Sequence, residues 1–184
     1  MTRNASRVLD EYLVAAAQTG SRPALNGLAR RWTPRLLRHA RHLLDADAAA
    51  RDAVQETWLA IVRGLARLDD PAKFPAWAFA IATRKCADQV RANVGLRRAR
   101  ETLAHDPALA ESAGENVAPS ESAALRRALA RLPAEQRVVV AMFYADELTI
   151  EEIAAALTLP AGTVKSRLFN ARKALKQMLG KEAR

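Results

Sequence analysis

The segment from Thr149 to Leu179 constrains the fold more than any other, because it reads as two helices joined by a sharp turn. Apolar residues recur at helical spacing in the first helix, at Ile150, Ile153, Ala154 and Leu157. Thr149 and Glu152 stand at its start in the arrangement of a capping box. The sequence Leu159-Pro160-Ala161-Gly162 predicts the turn, in which the proline ends the first helix and the glycine allows a tight backbone. Thr163 is predicted to cap the second helix.

The second helix of this segment is predicted to have one apolar side and one cationic side. The inward side carries Val164, Leu168, Ala171, Leu175 and Met178. The outward side carries Ser166, Phe169, Asn170 and Lys173, flanked by Lys165, Arg172 and Lys176. From Thr163 onward the chain has seven basic residues and one acidic residue. This pattern favours a helix-turn-helix, whose second helix enters the DNA major groove, over an αα-hairpin with a solvated basic face.

The composition of the chain favours a helical protein that binds a polyanion. Only 5% of the 184 residues are aromatic, and alanine and leucine dominate, which favours helices over sheet. The net charge of +9 predicts attraction to nucleic acid before membrane. The sequence has neither an apolar signal segment nor a membrane-spanning run, so we expect a cytoplasmic protein without membrane insertion.

The residue types that carry catalytic and metal chemistry are sparse. The single Cys86 allows no internal disulfide and, with His39, His42 and His105, has no metal-ligand spacing. Cys86 is therefore expected to be a small core side chain. We expect no metal, no cofactor and no enzymatic activity.

Three helices are predicted at the start of the chain, over residues 7–19, 23–44 and 48–66. The first carries Val8, Tyr12, Leu13 and Ala16 at helical spacing. The apolar side of the second carries Leu25, Leu28, Trp32, Leu36, Ala40 and Leu43. Pro34 lies inside the second helix and predicts a kink or a restart there. The other side of this helix is expected to be a solvated face with Arg30, Arg31, Arg35, Arg38 and Arg41.

The third of these helices combines an apolar side with an acidic one. It is predicted to bury Val54, Trp58, Ile61, Val62 and Leu65 and to expose Asp52, Gln55, Glu56 and Arg63. Asp52 and Glu56 are four residues apart and share a face, a pairing that could ligate a metal in a helical nuclease. No further acids or histidines follow at matching spacing. An exposed acidic face, open to docking, is therefore the stronger interpretation.

A loop over residues 68–73 is followed by a helix that starts at Phe74-Pro75. The inner face of this helix is predicted to carry Trp77, Ala78, Ile81, Ala82, Cys86 and Val90. Arg84, Lys85 and Arg91 are predicted to point outward. Aromatic residues beside basic ones at a loop–helix junction suit single-stranded nucleic acid, whose bases stack and whose phosphates pair with cations. The alternative is that Phe74 and Trp77 belong to the core.

Composition changes after this helix. Residues 101–121 contain five acidic residues and neither lysine nor arginine, together with Pro107, Gly114 and Pro119. We therefore predict a flexible acidic linker over 96–121 between helical domains at 1–95 and 122–184. The expected fold class is all-α, with the helix-turn-helix in the second domain.

The order and spacing of several motifs match one known family. In the first domain the matching residues are Thr33-Pro-Arg-Leu-Leu, Asp52-Ala-Val-Gln-Glu-Thr-Trp58, Phe74-Pro-Ala-Trp77, Ile81-Ala82 and Asp88. In the second they are Leu132-Pro-Ala-Glu-Gln-Arg137, Glu151-Glu-Ile-Ala154, Gly162-Thr-Val-Lys-Ser-Arg-Leu168 and Ala171-Arg-Lys-Ala-Leu175. Over nearly its whole length the chain resembles bacterial RNA polymerase sigma factors of the extracytoplasmic-function (ECF) subgroup of the sigma-70 family.

The resemblance implies three binding surfaces. Core RNA polymerase, through its clamp helices and flap, is expected to be a partner, with Asp52, Gln55 and Glu56 on the docking face. The −10 promoter element is expected to be melted and read by Asp69, Lys73, Phe74, Trp77, Arg84, Lys85 and Arg91. The −35 element, as duplex DNA, is expected to contact Thr163, Lys165, Ser166, Arg167, Phe169, Asn170 and Lys173.

The resemblance also implies how such a protein is controlled. It predicts an anti-sigma factor as a further partner and a path for the acidic linker along the RNA exit channel of the polymerase. Arg84 stands where the family often has asparagine, which makes the −10 preference a point of expected difference. The alternative is a helix-turn-helix regulator that is not a polymerase subunit. That alternative needs a sensory or receiver module, and the first 100 residues lack strand signals for one.

Overall fold

The computed structural model describes residues 2–44, 46–103 and 121–182, and the regular elements in these residues are helical. The α-helices are α1 Thr2–Gln18, α2 Arg22–Leu43, α3 Asp47–Gly64, α4 Phe74–Leu103, α5 Glu121–Ala130, α6 Ala134–Val140, α7 Ile150–Leu157 and α8 Ala161–Glu182. Short 3-10 turns lie at Leu65–Arg67 and Pro71–Lys73, and a π-helical turn lies at Ala141–Ala145. The predicted all-α fold is confirmed for the described part of the chain.

The first four helices pack around the apolar side of α2. Leu28, Trp32 and Leu36 are fully buried, as their spacing predicts. The Trp32 ring meets the edge of Phe74 at a centroid distance of 5.0 Å and lies 5.6 Å from Phe79. These ring contacts hold the start of α4 against the middle of α2, and they thereby fix where the preceding loop leaves the core.

Two predicted boundaries differ from the structure. A kink or a restart was predicted at Pro34; α2 runs through Pro34 as one helix, so the restart is wrong. A proline removes one backbone hydrogen bond, and the packing of α2 on its neighbours outweighs that loss. α4 continues to Leu103, so residues 96–103 are helical although they were assigned to the linker. The rest of the predicted linker, residues 104–120, lies outside the described residues.

Two valines predicted to be buried are exposed. Val62 is 55% exposed because α3 turns Ile61 into the core, and the next residue lies about 100° further around the helix. Val90 is 46% exposed because α2 ends at Leu43 and leaves this part of α4 at the rim of an open groove. Helical spacing shows which residues share a side, but it does not show where a neighbouring helix stops.

The arginines on the outer side of α2 hold other elements in place. Arg31 Nε donates a hydrogen bond of 2.8 Å to Asp10 Oδ1 of α1, and Asp10 is only 4% exposed. Arg38 Nη2 donates a hydrogen bond of 3.0 Å to the carbonyl oxygen of Ala145, which is more than 100 residues away in sequence. Arg38 is exposed, as the predicted solvated face requires, and Arg31 is half-buried; both side chains also hold a neighbouring element, which was not predicted.

α7 and α8 form the predicted pair of helices. Thr149 Oγ1 accepts a hydrogen bond of 3.1 Å from Glu152 N, and Glu152 Oε2 accepts one of 2.7 Å from Thr149 N. The capping box is therefore confirmed. α8 begins at Ala161, so Thr163 lies inside its first turn and the predicted cap at Thr163 is wrong.

The sharp turn between these helices is made by Thr158 and not by Gly162. Thr158 has φ +54° and ψ +47°, in the left-handed region, whereas Gly162 lies within α8. Leu159 N donates a hydrogen bond of 2.9 Å to the carbonyl oxygen of Ala154, which closes the end of α7. Because a β-branched side chain is disfavoured in this conformation, the backbone at Thr158 is strained.

We expect Thr158→Gly to raise the thermal midpoint of unfolding, because glycine adopts positive φ without a steric penalty. The gain in the free energy of unfolding should be about 1 kcal/mol. Thermal unfolding followed by circular dichroism measures it. Thr163→Gly, inside α8, is the matched control and should lower the midpoint. A midpoint for Thr158→Gly at or below that of the wild type would contradict the strain.

A buried polar contact joins the two halves of the described chain. His39 of α2 is fully buried, and Asp146, just after the Ala141–Ala145 turn, is 1% exposed. His39 Nδ1 lies 2.7 Å from Asp146 Oδ2, and His39 Nε2 lies 2.9 Å from Thr83 Oγ1 of α4. α7 also packs against α4. The two predicted domains therefore contact each other, a feature that no sequence motif indicates.

We expect Asp146→Ala to lower the free energy of unfolding by about 1–3 kcal/mol, because it leaves His39 buried without its partner. Chemical denaturation followed by circular dichroism measures the change. Combining it with His39→Leu should cost less than the sum of the two single substitutions, because the double variant removes the orphaned group as well. Asp88→Ala removes an exposed acid paired with Arg91 and should change stability little. Purely additive effects would show that the contact is not coupled.

Candidate nucleic-acid interface

The outward side of α8 presents an exposed polar and cationic surface. Val164, Leu168 and Ala171 are buried beneath it and fix α8 against α6 and α7. The exposed side carries Lys165, Ser166, Phe169, Asn170 and Lys173, as their spacing predicts. Phe169 is 68% exposed, so a large aromatic ring stands among these polar groups. The helix geometry leaves these side chains accessible to a groove of duplex DNA.

The other two predicted −35 residues on α8, Thr163 and Arg167, interact with groups of the protein itself. Thr163 is half-buried, and its carbonyl oxygen accepts a hydrogen bond of 2.9 Å from Ser166 Oγ. Arg167 forms an ion pair with Glu135 at the start of α6. The charge of Arg167 is therefore already partnered, whereas Lys173 is exposed and forms no ion pair with the described residues.

A cavity of about 310 Å³ opens between the end of α3 and the start of α4. It is lined by Gly64, Arg67, Leu68, Asp69, Asp70, Lys73 and Trp77. Asp70 Oδ1 accepts a hydrogen bond of 2.9 Å from Ala72 N, which caps the Pro71–Lys73 turn and shapes the loop. The structure thus brings the predicted −10 residues Asp69, Lys73 and Trp77 together around one cavity.

Phe74 was predicted to contact the −10 element but does not line the loop cavity, whereas Gly64, which was not predicted, does. Phe74 is fully buried against Trp32, so the prediction that its ring meets DNA is contradicted. A Cβ atom at Gly64 would come within 3.0 Å of Cζ2 of Trp77. The missing side chain lets Trp77 pack closely against α3. Sequence alone gives this role no signal, because Gly64 also reads as an ordinary helix end.

The predicted −10 cations on α4 differ in their surroundings. Arg84 is exposed, and the structure shows it no ion pair among the described residues. Lys85 Nζ lies 3.3 Å from Glu56 Oε2 of α3, and Arg91 forms an ion pair with Asp88. Lys85 therefore links the predicted DNA surface to the predicted polymerase surface.

The predicted polymerase face of α3 includes exposed aliphatic residues as well as the acidic ones. Asp52, Gln55 and Glu56 are all exposed on one side of the helix. Leu59 and Val62, 43% and 55% exposed, continue the same side at helical spacing. Acidic groups beside exposed aliphatic side chains form a surface that suits another protein. The spacing of Leu59 from Glu56 could have indicated this extension, but Val62 was assigned to the core and Leu59 to neither side.

The described residues offer little for metal or thiol chemistry. Within 2–44, 46–103 and 121–182, no group of three or more His, Cys, Asp or Glu residues could hold a metal ion. Burial raises the pKa of the Cys86 thiol from 9.0 to about 12, and its side chain is 2% exposed. Cys86 is thus a protonated core thiol, as predicted. In this same part of the chain, no helix has the length and apolar character needed to cross a bilayer.

Comparison with known proteins connects both surfaces to one family. The model of Sigma-70 region 2 matches residues 28–95, and the model of Sigma-70 region 4 matches residues 122–175. The ECF RNA polymerase sigma factor SigM of Mycobacterium tuberculosis (strain ATCC 25618 / H37Rv) is 35% identical over 175 residues, which cover 93% of this chain and 85% of that protein. The chain belongs to the ECF sigma factors of the sigma-70 family.

Further relatives of this sigma factor agree with that assignment. The ECF RNA polymerase sigma-E factor of Escherichia coli (strain K12) is 29% identical over 182 residues, 92% of this chain and 93% of the relative. The solved structure of CnrH in complex with the cytosolic domain of CnrY has a TM-score of 0.70 at 25% identity, covering 94% of this chain and 98% of that one. The sigma factor RpoE of Bartonella quintana, in complex with the anti-sigma factor NepR, has a TM-score of 0.67 at 26% identity, with coverages of 84% and 96%.

The matched regions fall on the surfaces described above. Region 2 covers the α3 face and the loop cavity, and region 4 covers the helix-turn-helix. Because both regions match, a helix-turn-helix regulator that is not a polymerase subunit is not favoured. α1 precedes residue 28, so this helix of the sigma factor lies outside both matches.

Proposed function

We propose that this sigma factor binds core RNA polymerase through α3 and directs it to promoters, contacting the −35 element with α8 and the −10 element with the loop cavity. The observation that carries the proposal is the geometry of α8. Buried Val164, Leu168 and Ala171 anchor the helix while its polar side is left uncovered. Such a helix can enter the major groove without disturbing its own packing.

The exposed side of α8 has the donors and acceptors that duplex recognition needs. The amide of Asn170 can donate to and accept from an adenine edge, and Lys173 can reach a phosphate or a guanine edge. Phe169 offers an apolar surface that suits a thymine methyl group. Phosphate contacts would set the position of the helix, and the base-edge contacts would set its preference.

The loop cavity has the character of a site for an unpaired base. Its volume of about 310 Å³ lies in the range of small-molecule pockets. Asp69 and Asp70 can accept hydrogen bonds from exocyclic amino groups, and the Trp77 ring supplies a stacking surface. Lys73 at the rim and exposed Arg84 can pair with the phosphates of the displaced strand. The function of these groups would be to hold a −10 base outside the duplex.

Two protein partners follow from the proposed role. Core polymerase would cover the acidic and aliphatic face of α3. An anti-sigma factor would compete for the protein, since the solved relatives CnrH and RpoE are seen with CnrY and NepR respectively. Both interactions would take place in the cytoplasm, and neither would require a catalytic residue or a cofactor.

Run-off transcription tests the proposal directly. Purified core polymerase with this protein should initiate at discrete sites in a genomic library, and core alone should not. The free protein should bind the same promoters weakly, because tethering in the holoenzyme raises the effective concentration of the second contact. Tight promoter-specific binding by the free protein, without any transcription when core is added, would overturn the proposal.

We expect Lys173→Ala to lower transcription from promoters that depend on their −35 element by about tenfold, because it removes one exposed cation from the DNA face of α8. Run-off assays on matched promoters with and without the −35 sequence measure the effect. The difference from wild type should vanish on the template without it. Arg30→Ala, which removes the same charge from the exposed side of α2, is the control and should leave −35 dependence intact.

We expect charge reversal at Asp52 to weaken holoenzyme assembly, and Val62→Ser to weaken it as well, because both residues lie on the exposed α3 face. Binding to immobilised core polymerase measures assembly, and circular dichroism checks the fold. Arg30→Glu reverses an exposed charge on α2 that forms no ion pair with the described residues, and it should bind as the wild type does. Unchanged assembly by both face variants would move the polymerase site elsewhere.

A further inference from the structure

α1 supports the loop cavity although it lies outside the matched family regions. The matches begin at residue 28, whereas α1 spans Thr2–Gln18. α1 packs against both short turns that flank the loop, Leu65–Arg67 and Pro71–Lys73. The loop thus rests on a helix that comes from a distant part of the sequence.

The contact between α1 and the loop centres on one side chain. Gln18, the last residue of α1, donates from Nε2 to the carbonyl oxygen of Leu65 at 3.0 Å and to that of Leu68 at 2.6 Å. These carbonyl groups bracket the turn that leads from α3 into the loop. Leu68 immediately precedes Asp69 and lines the cavity. One neutral amide therefore holds both ends of this turn.

The backbone that carries Gln18 is itself well fixed. After it the chain turns at Gly20, whose φ is +92°, and Ser21 N donates a hydrogen bond of 3.1 Å to the carbonyl oxygen of Ala16. Ser21 then caps α2 by accepting from Ala24 N. The amide of Gln18 thus projects from a rigid corner between two helices.

The position of the Leu68 carbonyl sets the shape of the cavity. Leu68, Asp69, Asp70 and Trp77 all line the cavity. Trp77 cannot move toward α3, since it already packs closely on Gly64. A displacement of Leu68 and the two aspartates that follow it therefore changes the shape of the cavity directly.

We propose that Gln18 is a positioning residue for −10 recognition, which holds the loop in its receptive shape before DNA arrives. The inference rests on the proposed function of the loop cavity. A loop ordered in advance loses less conformational entropy on binding, so its affinity for the unpaired base is higher. The role needs an uncharged donor of this length. A carboxylate would repel the two carbonyl oxygens, and asparagine is one methylene too short.

The test uses holoenzyme and a fluorescent single-stranded −10 oligonucleotide. Gln18→Ala should bind it about five- to tenfold more weakly than the wild type, and Gln18→Glu at least as weakly as Gln18→Ala. Thr19→Ala, at the adjacent exposed position, is the control and should bind normally. Permanganate reactivity of promoter thymines should fall in parallel for the two Gln18 variants.

A scan with abasic nucleotides separates positioning from general stability. Removing the captured base should abolish the difference between wild type and Gln18→Ala at that one position, and the difference should persist at the others. Binding to a −35 duplex and assembly with core should be unchanged. If −35 binding or assembly also falls, the residue is merely structural and the proposal is overturned. If Gln18→Ala melts early, Gln18→Asn, which keeps the amide, decides: a defect confined to −10 binding supports the proposal, and a defect in all three assays overturns it.

The outcomes also distinguish this inference from the proposed function. If wild-type holoenzyme shows no preference for the −10 strand, the function assigned to the cavity fails. If wild type shows the preference and both Gln18→Ala and Gln18→Glu match it, only the positioning role is overturned.

Discussion

The arrangement of the described chain depends on one buried polar contact, between His39 and Asp146. Both side chains are withdrawn from water, and the remaining ring nitrogen of His39 meets Thr83. The three residues come from α2, α4 and the segment after α6, so one imidazole connects elements from both halves. A buried polar group stabilises a fold only while its partners are in place, which makes this contact specific to one relative placement of the helices. Asp146 Oδ1 has no hydrogen-bond partner among the described residues, so burying this oxygen lowers the free energy of unfolding.

The contact leaves the proposed DNA surfaces free. Phe169 and Lys173 of α8 are exposed, and the loop cavity opens at the start of α4, ahead of Thr83. A polar contact of this kind has a small net free energy, since water can replace each partner once the groups are exposed. Apolar helix packing differs, because water cannot replace an apolar contact once the side chains are exposed. Apolar packing also joins the halves, because one buried apolar cluster includes residues of both and α7 packs against α4. The His39–Asp146 contact therefore specifies how the halves are placed, whereas apolar packing supplies most of the free energy that joins them.

Helical spacing predicted the elements and most of their buried sides, including the inward and outward sides of α8. It failed where the deciding partner is distant in sequence. Phe74 reads as a possible stacking residue, yet Trp32 lies against it in the core. The arginine row on α2 reads as solvated because its partners, Asp10 and Ala145, stand on other elements. The left-handed backbone conformation between α7 and α8 occurs at Thr158 and not at Gly162, because tertiary packing overrides local preference. Gln18 had no signal, since its acceptors are backbone carbonyl groups that any sequence supplies.

The proposed polymerase and DNA surfaces meet at one ion pair, which determines how they should be probed. Lys85 and Glu56 are 3.3 Å apart, with 30% and 52% of their side chains exposed, so their attraction is worth less than about 1 kcal/mol. Because this ion pair is weak, either side chain can pair instead with a charged group of another molecule. Reversing Glu56 would therefore change the field at Lys85 as well as the docking face. Asp52 has no ion pair among the described residues, so its reversal alters the α3 face alone. An assembly defect at Asp52 can be assigned to polymerase docking, whereas one at Glu56 needs the double variant with Lys85 before it can be interpreted.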